Sequence, residues 1–197
     1  MGRYQRGNSG HRQYKPRFVV ATEGKSTEKN YLVCCFGGNE HPYTLEFAPA
    51  NHASAPSHVV KRMERQLRKR PLGNGDQAWM LVDKDAWNES SLLELSKWVR
   101  GGDAYHLALS NPKFEYWLLL HYESGNALKD ARDCDTRLLR HWSTYTKSTE
   151  NMSHLKTRVQ DAIANARHRD TPPCEDWPRT PGSTVYRLVE RLLQFSS

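Results

Sequence analysis

The chain has 197 residues, room for one α/β domain or a compact domain with a helical extension, and too few for two full domains. Hydrophobic residues make up only 37% of it, yet six Trp exclude a wholly disordered polypeptide. The net charge is +7, but residues 1–17 carry five basic side chains (Arg3, Arg6, Arg12, Lys15, Arg17) and no acid; removing those five leaves +2, so the remainder is nearly balanced.

In chain order, residues 1–16 are rich in Gly, Arg, Tyr and Asn without periodicity and read as a disordered basic arm. A first strand is predicted over Arg17–Thr22, a β-branched run bounded by Pro16 and Gly24. A helix follows over Thr27–Phe36, capped by Ser26 or Thr27. Strand two spans Thr44–Phe47. A second helix over Ser57–Arg70 sets Val59, Val60, Met63 and Leu67 at roughly helical spacing. Its basic cluster, including Arg62, Arg65 and Lys69, reads either as a solvated face or as a phosphate-contacting one. After a turn at Pro71–Asp76, the continuous apolar run Ala78–Val82 predicts a strand buried on both faces.

A third helix over Ser90–Val99 stops at Gly101-Gly102, and a fourth strand covers Tyr105–Leu109. A fourth helix starts near Pro112 and runs to Tyr122, with Asn111 as a candidate cap. Beyond His121 the pattern turns helical, over Asp135–Trp142, Met152–Arg167 and Ser183–Phe195. The alternation implies an α/β fold, a mostly parallel doubly wound sheet with a helical C-terminal extension. The expected division is an arm at 1–16, a core at 17–123 and an extension at 124–197 packed on that core. The four Cys lack C-x-x-C spacing, which with no signal peptide predicts a reducing cytoplasm and no structural zinc. The longest apolar run, Trp117–Leu120, is too short for a membrane span.

Ligands of open α/β sheets bind beyond the carboxyl ends of the strands. There the chain places Glu23 after strand one, Asp83 and Asp85 after strand three, and Ser110-Asn111-Pro112 after strand four. Asp83 and Asp85 stand two residues apart and share a side of an extended chain, and Glu23 joins them if strands one and three are neighbours. Carboxylates in this pattern suit Mg²⁺ or Mn²⁺; the bland alternative is a set of loop acids. Gly24-Lys25-Ser26-Thr27 imitates the end of a Walker loop, but the required earlier glycine is Val19, which excludes an ATPase. Lys25 and Lys147 remain candidate phosphate contacts. Glu28 reads as a capping or surface residue, His106, His121 and Trp117 as core, and Glu115 as a helix-start acid with even claims to a catalytic role.

The strings Thr22-Glu23-Gly24-Lys25-Ser26-Thr27-Glu28-Lys29-Asn30-Tyr31, Val82-Asp83-Lys84-Asp85 and Ser110-Asn111-Pro112-Lys113-Phe114-Glu115-Tyr116-Trp117-Leu118-Leu119-Leu120-His121-Tyr122 resemble the RloB family. Tyr145-Thr146-Lys147, Ala162–Ala166 and Gly182–Glu190 fit the same pattern, so the likeness spans residues 17–193. The resemblance implies a Toprim-like domain and a part in bacterial antiphage defence, often beside an ATPase partner. It implies that Glu23, Asp83 and Asp85 hold the metal and share acid–base work, with Asn111 and Glu115 joining the site. A topoisomerase does not fit in this length, and a primase is expected to bring zinc ligands. A nuclease acting on DNA or RNA remains. Its rivals are a catalytically silent nucleic-acid-binding or sensor subunit and a small-RNA processing enzyme.

Overall fold

The computed structural model describes residues 14–24, 26–49, 56–84 and 87–195. Five strands, β1 (Arg17–Thr22), β2 (Thr44–Phe47), β3 (Gln77–Asp83), β4 (Tyr105–Asn111) and β5 (Gly182–Ser183), form one sheet in the order β2-β1-β3-β4-β5. The first four are mutually parallel, and β5 is antiparallel to the end of β4. Helices α1 (Thr27–Phe36), α2 (Pro56–Lys69), α3 (Glu89–Val99) and α4 (Phe114–Leu119) alternate with them. Helices α5 (Ala131–His141), α6 (Val159–Arg169) and α7 (Val185–Gln194) follow, with a 3-10 turn at Ser153–Arg158.

Alternation along β1 and β3 feeds two cores. Phe18, Val20, Trp79 and Leu81 pack with α1, α4, α5, α6 and α7, while Val19, Ala21, Met80 and Val82 pack with α2 and α3. The uninterrupted apolar run of β3 follows from burial on both faces. Because α1 lies on one face and α2 and α3 on the other, the winding reverses between β1 and β3. The crevice beyond their carboxyl ends is the topological switch point, where such sheets bind ligands.

Several expectations need correction. Residues 14–16 are not part of a loose arm: the Tyr14 hydroxyl donates to Asp76 Oδ1, and Lys15 Nζ donates to the carbonyls of Asn39 and His41. Residues 1–13 lie outside the described residues. Arg17 is buried and paired with Asp76 (2.8 Å) and Glu46 (3.1 Å), so its charge is spent inside the fold. Burial works against the Asp76 carboxylate, yet bonds from Tyr14, Arg17 and the Gly73 N–H outweigh it and hold its pKa low. Helix α4 begins at Phe114 and ends at Leu119, because the backbone turns there and Asn111 still belongs to β4. Helices α5, α6 and α7 share a hydrophobic core with β1 and β3, and the same part of the chain supplies β5, which no alternation announced. No helix among the described residues is long and apolar enough to cross a membrane.

Candidate active site at the switch point

Glu23 leaves β1 with its N–H still donating to Leu81 O at 2.9 Å, so the sheet ladder carries it to the end of β3. Its Oε2 accepts from the Asp83 N–H (3.2 Å) and from Trp87 Nε1 (2.8 Å). Asp83 ends β3, and its Oδ1 accepts the Phe114 N–H at 2.8 Å. This is the capping bond of α4, supplied from a neighbouring strand rather than from Lys113 at the cap position. Glu23 and Asp83 are therefore neighbours, joined from the Glu23 carboxylate to the Asp83 backbone. Asp85 and Lys25 lie outside the described residues.

Two further carboxylates face this point. Glu115, one residue into α4, is buried and accepts from the Tyr145 hydroxyl at 3.0 Å. Glu28, on the first turn of α1, is also buried and accepts the Gly24 N–H at 3.0 Å. A Cβ on Gly24 would stand 2.5 Å from Glu28 Oε2, so the glycine lets the carboxylate fold back over the loop. Glu28, Asp83, Glu115 and Lys147 line one cavity of about 310 Å³. Burial raises the Glu28 pKa, with Glu115 adding to the effect and Lys147 and local N–H groups opposing it. Burial and the adjacent Glu115 likewise raise the Tyr145 phenol, keeping it a hydrogen-bond donor.

Lys147 reaches the cavity because its segment is stitched along α1. Thr27 Oγ1 donates to Lys147 O (3.0 Å), Asn30 Nδ2 to Thr149 O (3.1 Å), and Cys34 Sγ to Glu150 O (3.2 Å). The nearby Lys113 is buried, with Nζ 2.7 Å from Asp135; burial opposes its charge, but Asp135 and Glu115 outweigh it and raise its pKa.

The basic helix divides. Arg65 and Lys69 are exposed, as a phosphate-contacting face requires. Arg62 is not: it is 4% exposed, and its Nη2 donates to Thr22 O at 2.7 Å behind the site. It lies three residues after Val59 and next to Met63, both on the inward face of α2, which the apolar spacing alone did not reveal. Burial lowers its pKa while Glu23 and Glu28 support its charge. Asn111 donates to Pro178 O (3.0 Å) and Thr180 O (3.1 Å), which ties β4 to the C-terminal loop; it does not cap α4. Glu28 and Tyr145 are the residues that sequence reasoning passed over. The available signal was Glu28 following Glu23 at five residues with a glycine between.

Among the described residues no three His, Cys, Asp or Glu side chains form a group that could hold a metal ion. Asp83, Glu28 and Glu115 share the lining of one cavity, and the Glu23 carboxylate rests on the Asp83 N–H beside it; carboxylate oxygens are the donor type that a hard divalent cation takes. A family model described as RloB-like protein matches residues 18–192. The chain belongs to the RloB family. No curated protein and no solved structure matches it. The four cysteines of this RloB-family chain are free thiols, and burial pushes Cys35, Cys134 and Cys174 up to about 12.

Proposed function

We propose that this RloB-family chain is a divalent-metal-dependent nuclease of Toprim type that hydrolyses phosphodiester bonds of DNA or RNA in cytoplasmic antiphage defence, beside an ATPase partner. The observation that supports the reading is the shared cavity of Glu28, Asp83, Glu115 and Lys147 at the β1/β3 switch point, with the Glu23 carboxylate bonded to the Asp83 N–H beside it. Glu23 and Asp83, with Asp85, would hold Mg²⁺ or Mn²⁺, which when bound supplies Lewis-acid stabilisation of phosphoryl oxygens and an acidified water.

The chain's own groups supply the rest. Glu28, whose pKa burial raises, is the candidate to exchange a proton with substrate or water, and Glu115 is held beside it by the Tyr145 hydroxyl. Lys147 attracts a phosphate to the cavity, and exposed Arg65 and Lys69 follow the backbone without reading bases. Arg62 supports the carboxylates from behind instead of touching the substrate.

The test is cleavage by the purified chain, with Mn²⁺, of tRNA, single-stranded and duplex substrates. Asp83→Asn and Glu23→Gln are expected to lower the rate by at least about 10²-fold while leaving substrate binding intact. Equal cleavage by wild type and Asp83→Asn would remove the nuclease reading. Tight binding with no metal-dependent cleavage of any substrate would favour the silent subunit.

A further inference from the structure

β4 is the last long strand of the sheet, and β5 pairs only with its final two residues, Ser110 and Asn111. The Ala78 N–H donates to Ala104 O at 2.8 Å, and the Lys84 N–H to Ser110 O at 2.9 Å. Even-numbered residues of β4 therefore direct their backbone groups to β3, and odd-numbered ones direct theirs outward. Leu109 follows this pattern, donating to Thr184 Oγ1 (2.9 Å) and accepting from the Thr184 N–H (2.8 Å). Leu107 points its N–H and C=O the same way, and neither has a partner among the described residues.

A cavity of about 730 Å³ opens on that edge, with His106 and Leu107 at its floor. Ser96, Val99 and Arg100 of α3 form one wall, and Arg187, Glu190 and Arg191 of α7 form the other. Each set recurs at three- and four-residue spacing, so one face of each helix looks into the cavity. The two helices belong to opposite layers of the fold. The cavity is thus a slot in line with the sheet, the place a further strand would occupy.

Its lining holds three arginines and three acids, but their pairing is unequal. Arg187 pairs with Asp170 (2.7 Å), Glu190 with Arg167 (2.6 Å) and Asp176 with Arg179 (3.2 Å). Arg100 and Arg191, one on each wall, have no carboxylate partner among the described residues, and Glu175 alone opposes them. We infer that this slot docks an extended acidic segment of a partner protein, which adds to β4 as a strand through Leu107 and sets its carboxylates against Arg100 and Arg191. A nucleic-acid strand would use the arginines but leave the Leu107 backbone unpaired, so a polypeptide is the better fit.

The experiment follows the Leu107 amide in the full ¹⁵N-labelled chain, by hydrogen exchange and chemical shift. Without ligand, Leu107 exchanges faster than Leu109. A capped, alternating valine–glutamate hexapeptide is expected to slow Leu107 exchange and shift its resonance. The same peptide with N-methylated backbone, or with lysine for glutamate, is expected to bind at least about tenfold more weakly. Leu107→Pro should weaken binding similarly, and the N-methylated peptide reads the same bond without altering the protein. The inference fails if the valine–glutamate peptide leaves Leu107 unprotected, or if N-methylation makes no difference. It also fails if oligothymidylate binds at Arg100 and Arg191 while the peptide does not.

Discussion

Replacing Asp83 by Asn removes a charge but keeps an acceptor, because Oδ1 receives the Phe114 N–H. Asp83→Asn should therefore leave metal-free stability near wild type, whereas Asp83→Ala should cost about 1 kcal/mol more through the lost cap. Urea unfolding with chelator present checks this, and equal losses in the two variants would mean the charge holds the helix start. His121 offers a pH test. Its Nδ1 donates to Trp117 O (3.0 Å), which leaves Nε2 to accept from the Tyr31 hydroxyl (3.1 Å), and burial lowers its pKa to about 4. The ring is neutral when folded and titrates normally when unfolded, so its contribution is present above about pH 6.5 and is lost as pH falls towards 4. Between pH 7 and 4.5 the loss should reach about 2–3 kcal/mol. His121→Gln should be weaker at pH 7 and lack that part of the slope; identical slopes would contradict the assignment. His121 was legible in the sequence because it sits inside an apolar block. Glu28 and Arg62 were not, since an acid in a first turn and an arginine in a basic run look solvated. Only the three-dimensional path of the Gly24 loop and the inward turn of α2 bury them.

Besides its bonds to α1, the segment after α5 reaches the site through a buried side-chain bond from Tyr145 to Glu115. Tyr145→Phe leaves the Glu115 carboxylate without that donor and should destabilise the protein by about 1–3 kcal/mol. Tyr122→Phe, which removes an exposed bond to His154, should stay within about 0.5 kcal/mol. Matching effects in thermal unfolding would show that Tyr145 does not position Glu115. Strands and helices up to β4 were readable because apolar runs, turn residues and cap residues agreed with one another. β5 was not readable: two residues carry no alternation, and their pairing depends on Ser110 meeting Ser183, 73 positions away. The start of α4 was misjudged for a related reason, because its cap comes from Asp83 on another element rather than from Asn111 beside it.

At the scale of the molecule, the order of strands and helices already placed three loops at one end of the sheet. The packing of α5, α6 and α7 into the same core as α1 was beyond it, because helical periodicity gives a buried face but not its partner. The anchoring of Tyr14 and Lys15 sharpens what the basic segment can do. Deleting residues 1–13 removes Arg3, Arg6 and Arg12 and should flatten the salt dependence of nucleic-acid binding by up to about three units, with melting unchanged. Deletion through residue 16 should lower the melting temperature as well, and an unchanged salt slope in both would exclude phosphate contacts there. The proposed site makes Glu23 and Asp83 ligands of one divalent metal. The most direct measurement is thermal melting of wild type and Asp83→Asn, each with chelator and with saturating Mn²⁺. A metal that binds only the folded state adds about 2.7 kcal/mol at a hundredfold excess over its dissociation constant, a rise of about 5–11 °C for a domain near this size. That rise is expected in wild type and nearly absent in Asp83→Asn; an equal rise in both, or none in wild type, would rule out Asp83 as a ligand.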